Sequence, residues 1–346
     1  MRFIRILLLT VLLMAVPASA EEFTAPVAPV EAQRYLPDDT QSLGEGILYV
    51  INAALAELMP SFTDAVCLCA ALIATSLLTS LLVGICGKDQ PALPLASTAA
   101  VVLILSQPAN TMLQLGASTV RKLTEYGKLL LPVMTGALAA QGAVTKSGAL
   151  YTASALFHSL LSSAVAQLLV PLAYLLLTVS VAVRFYDHMM LQNIKDFLKW
   201  LLTWGLKSVL YVFTGYLGLT GIVSGTTDAA MLKATKLTIA GAVPVVGSIL
   251  SDASEAVLVS VGLMKNAAGI HGILSMIALC IGPFLQVGVQ YLLLNVTSGI
   301  CFMFGVKESA SLIKDYSTVM GIILAMIATV CVILLISTVC FMKGPA

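Results

Sequence analysis

Asp252 and Glu255, three residues apart, are the closest approach to an acid–base pair in a chain of 346 residues. On a helix that spacing puts both carboxylates on one face, where one could hold a proton while the other stays ionised. The same spacing is common on solvated helix faces, so by itself it is a weak sign of catalysis. His158, His188 and His271 are scattered, without the paired spacing that holds zinc, and packing or an interface position is expected for each. The seven cysteines (Cys67, Cys69, Cys86, Cys280, Cys301, Cys331 and Cys340) lie in or beside apolar runs. Cys67 and Cys69 are too close together for the usual zinc ligand spacing. These thiols read as small apolar residues of helices. No phosphate-binding glycine loop or nucleophile elbow occurs in a strand–turn–helix context. The residue types thus imply no enzyme activity, and no cofactor or metal is expected.

What must position these residues is decided by composition. Hydrophobic residues make up 59% of the chain and charged residues 10%, with a mean hydropathy of +1.00. A soluble domain carries about 25% charge. A chain so poor in charge cannot cover a water-facing surface, and lipid must be its main solvent. The net charge of +1, with no basic stripe, argues against nucleic acid as a partner. The expected fold class is all-α, a polytopic membrane helix bundle with interfacial amphipathic helices.

Residues 1–20 have the three parts of a signal peptide. Arg2 and Arg5 form the basic region, Ile6 to Val16 the apolar one, and Ala18, Ser19 and Ala20 the small cleavage site. Residues 21–64 follow as an extracytoplasmic part. It comprises a flexible, acidic, proline-bearing tail as far as Gly46 and an amphipathic stretch from Ile47 to Met59. Between Glu21 and Asp64 the one basic residue is Arg34, which fits the outer side of a membrane. Residues 65–346 form the multi-span membrane domain.

Six spans are expected within it. Ala65 to Cys86 and Leu93 to Leu115 are uncharged, the second carrying Pro108 as a source of a kink. Arg121, Lys122, Glu125 and Lys128 recur at helical spacing, as in a helix lying at the interface. Tyr151 to Val183 is also uncharged, but at about 50 Å it exceeds a ~30 Å hydrocarbon core, so its second half is expected to span. A further interfacial helix runs from Asp187 to Leu201, with Trp200 and Trp204 suited to the headgroup belt. Leu206 to Val223 carries Gly215, Gly218 and Gly221 on one face, suited to close helix contact. Ile270 to Val296, broken by Pro283, and Tyr316 to Met342 complete the set. Between these two, Lys307, Glu308, Lys314 and Asp315 mark a loop or surface helix.

Residues 225–272 differ from an ordinary span. Two short apolar arms, Leu237 to Leu250 and Ala256 to Met264, flank the polar centre formed by Ser251, Asp252, Ala253, Ser254 and Glu255. Neither arm can cross a bilayer alone as a helix. The stretch is either a re-entrant hairpin, which needs a protein-lined or watery cavity, or two amphipathic surface helices.

Gly225, Thr226, Thr227 and Asp228, then Lys233 and Lys236, then Pro244 and Gly247, then Ser251, Asp252 and Ser254 form an ordered series. Lys265, Asn266, Gly269, Gly272, Gly282, Pro283 and Phe284 continue it. In order and spacing this series resembles the stage III sporulation protein AE family. The resemblance implies a polytopic protein of the mother-cell membrane that surrounds the engulfed forespore. Proteins of this family are encoded with seven neighbours. They belong to a complex that joins a forespore membrane protein across the intermembrane space, as a channel or feeding apparatus. The implied partners are other stage III sporulation membrane proteins, that forespore partner and further copies of the chain. No catalytic residue is implied. The alternative from the residues alone is a secondary transporter for a small solute, since broken helices suit one, although no internal repeat and few intramembrane charges accompany them.

Overall fold

The fold, described from a computed structural model, covers residues 26–37, 43–86, 92–140, 144–186, 188–219 and 267–342. With no water in a hydrocarbon core, each backbone N–H and C=O must be satisfied within its own segment, and these residues accordingly form helices. A short turn of helix, α1 (Val30–Gln33), precedes the 44-residue α2 (Leu43–Cys86) and the 49-residue α3 (Ala92–Ala140). Next comes α4 (Val144–Ala164), joined through a π-helical turn (Val165–Leu169) to α5 (Val170–Phe185). The chain continues as α6 (Met189–Leu219), α7 (Ala267–Met303) and α8 (Lys307–Met342). The π turn has a local cause. Pro171 lacks an N–H and its ring collides with the carbonyl four residues back, at Gln167, and the wider turn relieves both.

Five of these helices are long and apolar enough to cross a membrane: Leu43–Ile85, Leu95–Ala137, Gln167–Phe185, Gly269–Met303 and Lys307–Val339. As expected, the spanning part of the long run from Tyr151 is its second half. The sixth expected span, Leu206 to Val223, begins inside α6 and runs past the described residues.

Several expected surface helices are instead parts of long ones. Ile47 to Met59 is continuous with Ala65 to Cys86 in α2, and residues 119–128 with Leu93 to Leu115 in α3. The charges at Lys307 and Asp315 open α8 and form no separate element. The residues at these junctions do not terminate a helix, and Pro60, Pro108 and Pro132 are carried inside helices. Packing against neighbouring helices outweighs the change in polarity along each one. At 1.5 Å per residue α3 is about 74 Å long, more than twice a hydrocarbon core.

The centre of the bundle is α8. Of its most apolar stretch 94% is buried, against 22–56% for the other candidate spans. It contacts α3, α4, α5, α6 and α7. The turn into it uses Gly305 at φ +81°, a left-handed residue that ends α7. The hydroxyl of Ser80 on α2 donates to the carbonyl of Phe304 (2.9 Å), satisfying an end-of-helix acceptor. Antiparallel α7 and α8 are joined by Ser298 Oγ donating to the Ala310 carbonyl (2.8 Å) and Ser317 Oγ to that of Tyr291 (3.2 Å). Parallel α3 and α8 meet at Ser97 and Ser309, 3.1 Å apart, and then at two glycines. Gly116 lies against Ile323 and Gly127 against Leu334, with no room for a methyl group at the present side-chain positions. Gly215, where close contact was expected, has no neighbour within 4 Å among the described residues.

Replacing Gly116 by Leu should therefore destabilise the bundle by about 1–3 kcal/mol, the cost of overpacking against a stiff β-branched neighbour. Gly84→Leu is the control, because Gly84 has no neighbour within 4 Å among the described residues. Thermal unfolding of the detergent-solubilised protein should show a clear loss for the first and little for the second.

Candidate functional site

Charge is so scarce here that the few ionised groups close to helix contacts define the candidate sites. The most concentrated set lies where α5, α6 and α8 meet. Asp315 of α8 receives hydrogen bonds from Arg184 Nη2 (2.9 Å) and Lys195 Nζ (3.1 and 3.2 Å). Arg184 also donates to Ser311 Oγ (2.5 Å). All three charged side chains are 16–18% exposed, so water screens them only partly. A cleft of about 110 Å³ opens beside them, lined by Lys195 and Asp315 together with Ser180, Asp196, Lys199 and Thr318. The Ser180 hydroxyl and Arg184 Nε are buried without a hydrogen-bond partner among the described residues.

A second set lies farther along the bundle and corrects the expectation of a flexible N-terminal tail. Ala28 and Ala32 are buried in the core. Glu31 forms a 2.7 Å ion pair with Lys122 of α3. That lysine holds the Glu31 carboxyl below its ordinary range. Tyr35 donates to Glu57 of α2 (2.7 Å), and its ring covers Gly282 of α7, where an added methyl would lie 3.1 Å from the phenol oxygen. Burial and the Glu57 carboxylate push the Tyr35 phenol up to about 12. Residues 26–37 are thus strapped across α2, α3 and α7. The sequence showed the acidic composition of this segment but not its contacts, because these join residues up to about 250 positions apart.

The two sets occupy different levels. Lys122 lies between Gly116 and Gly127, which touch Ile323 and Leu334, so it stands about level with Thr329. From Asp315 to that level is 14 residues, about 21 Å along the helix. Trp200 and Trp204 are exposed and stacked, 5.8 Å between centroids, with Phe197 against Trp200 at 6.0 Å.

His158 of α4 is buried, and neither ring nitrogen has a partner among the described residues; Ser154, one turn earlier, is likewise unpartnered. Burial lowers the His158 imidazole from 6.5 to about 4. His188 and His271 are exposed, and the three histidines do not form a cluster. Cys67, Cys69, Cys280, Cys301 and Cys331 are free thiols. Among the described residues no group of His, Cys, Asp and Glu is arranged to hold a metal ion.

Most of the family-like series lies outside the described residues: Gly225, Asp228, Lys233, Lys236, Pro244, Gly247, Asp252, Lys265 and Asn266, together with Glu255. Its glycines at 269, 272 and 282 are described, and all three are buried in α7. Gly272 meets Leu130 of α3, with 2.9 Å between the leucine Cδ1 and the position a β-carbon would take. Gly282 lies under Tyr35. In these two cases the motif residue permits a close contact with α7, by α3 at Gly272 and by the N-terminal strap at Gly282.

Comparison with known sequences matches residues 42–344 to the family described as stage III sporulation protein AE. The stage III sporulation protein AE of Bacillus subtilis (strain 168) is 19% identical over 187 residues, 54% of this chain and 47% of that protein. The chain thus spans about half the length of the curated relative it matches. No solved structure matches.

Asp315→Ala would leave two half-shielded cations without a counter-charge. The expected loss is about 1–3 kcal/mol, below the 3–5 of a fully buried pair because water still reaches this one. Glu31→Gln, at an exposed pair, should cost under about 1 kcal/mol. Melting curves of both variants in one detergent check the ranking.

For His158 the folded-state value lies below the unfolded one, so the unfolded chain binds the proton first as pH falls. Stability present above about pH 6.5 should decline toward pH 4, by up to about 1.4 kcal/mol per pH unit. His158→Phe should flatten that part of the unfolding free energy measured against pH.

Proposed function

The chain belongs to the stage III sporulation protein AE family, and from that membership we propose that it is a membrane subunit of the complex joining mother cell to engulfed forespore. It would reside in the mother-cell membrane that surrounds the forespore. It would contribute packed helices to a channel or feeding apparatus, together with other stage III sporulation membrane proteins and a forespore partner. The single observation that carries this reading is the extent of the family match. It runs from residue 42 to residue 344 and so takes in all five candidate spans.

The architecture is compatible with a subunit that works through contacts. Leu77, Leu78, Leu81 and Ile85 of α2 and Phe197, Trp200 and Trp204 of α6 are exposed apolar side chains of the bundle, available to lipid or to neighbouring subunits. The ion pairs among the described residues join one helix or strap to another, a structural use of charge.

In-frame deletion of the gene in the spore-forming source should leave vegetative growth unchanged and arrest development after engulfment. The measurement is the count of heat-resistant spores, with microscopy to stage the arrest. A deletion strain that forms normal spores would overturn the proposal.

A further inference from the structure

Contacts along each helix fix which helix ends lie together. One end of the bundle is marked by Ser80 of α2, which meets the Phe304 carbonyl, and by the contact of Ser97 with Ser309. Toward the other end lies the N-terminal strap, where Tyr35 meets both Glu57 of α2 and Gly282 of α7. Helices α2 and α7 therefore both run from the strap end toward Ser80. Helix α3 returns beside α8, since Ser97, Gly116 and Gly127 meet Ser309, Ile323 and Leu334 in that order. Near the close of α8, Thr338 lies 3.9 Å from the sulfur of Met276, near the start of α7. Through α4 and α5 the chain runs away from the strap end again. Tyr174 donates to Asn110 of α3 (2.6 Å), and Arg184 reaches Asp315 near the start of α8 (2.9 Å). Helix α6 turns back: its Lys195 also meets Asp315, its Gly205 lies against Leu169 and its Phe213 against Phe157 of α4. Leu219, where α6 ends, and Ala267, where α7 starts, thus lie at the strap end, and so does Met342, the last residue of α8.

We infer that the strap, the close of α8 and both ends of the stretch between α6 and α7 share one face of the membrane, and that this is the exported face. The chain makes six passes along the bundle, through α2, α3, α4 with α5, α6, α7 and α8. An even number of passes returns it to the side on which it began. Residues 220–266 leave the bundle and rejoin it at that same end, so any crossing within them is matched by a return. At the opposite end, α2 to α3, α5 to α6 and α7 to α8 are joined by connections of three to five residues. The exported assignment rests on residues 1–20, which have the parts of a signal peptide, and on the single basic residue between Glu21 and Asp64. The shared end rests on the helix contacts alone. A partner that reads the family-like series would therefore reach it from outside the cytoplasm. The inference concerns sidedness and does not depend on the intercellular complex.

The test labels the full-length chain in intact cells with a membrane-impermeant maleimide, before and after permeabilisation, and compares each variant with its parent. Val27→Cys in the strap, His271→Cys near the start of α7 and Glu308→Cys at the start of α8 all fall at exposed positions. Val27→Cys and His271→Cys should gain label in intact cells. Glu308→Cys should gain it only after permeabilisation. A second measurement fuses alkaline phosphatase, which is active only when exported, to the C-terminus of the full-length chain, and the fusion should be active. Labelling of Val27→Cys and His271→Cys from opposite sides, or an inactive fusion beside an exported strap, would overturn the shared end. Protection of both in intact cells together with labelling of Glu308→Cys would overturn the exported assignment.

Discussion

Everything in the described bundle is arranged around a helix that touches almost no solvent. Between lipid and apolar side chain there is no hydrophobic gain to hold helices together, so close packing and interhelical hydrogen bonds must do it. Along α8 both are present. Its side chains fill the space left by the glycines of α3, and serine hydroxyls tie it to α7 and α3. Its own buried Thr329, Ser337 and Thr338 return their hydroxyls to the carbonyl one turn back, which keeps them satisfied without water. A helix so enclosed is a post on which the others lean, and the positions of α5 and α6 are fixed by the carboxylate it offers at Asp315.

The scarce charges gain meaning from that arrangement. Each ion pair links parts of the chain that sequence separates by about 90 residues or more, and the two sets stand about 20 Å apart along α8. The bundle nevertheless continues beyond the second set: α8 runs on from Thr329 to Met342, about 20 Å more. His158 and Ser154 add unmet polar atoms to the interior, while the N-terminal strap closes over Gly282. Taken together, the polar groups among the described residues secure packing.

The membrane class, the all-α fold and the approximate span positions were legible because lipid imposes a rule that composition reveals directly: long uncharged runs must be helices. The family was legible from the order of Gly225, Pro244, Asp252 and their neighbours. Helix boundaries were less so. Residues 119–128 and 307–315 looked like surface elements because their charges recur at helical spacing, yet they are segments of longer helices. Periodicity tells which face is polar but not whether a helix continues. The glycines that matter were also hard to choose. Gly215 belongs to a visible repeat and meets no neighbour among the described residues, whereas Gly116 and Gly127 look unremarkable in the sequence and meet side chains of α8.

By itself, then, the sequence determined the solvent of this protein, the helical form that this solvent requires and the family to which the chain belongs. Only the tertiary structure decided that α8 is central, that residues 26–37 are strapped down, and that Arg184, Lys195 and Asp315 share one site. The physical reason is distance along the chain. Hydropathy and capping act within a few residues, so they can be read locally. An ion pair or a close helix contact exists only once two remote helices have fixed their mutual rotation and depth, and that is settled by packing the whole bundle at once.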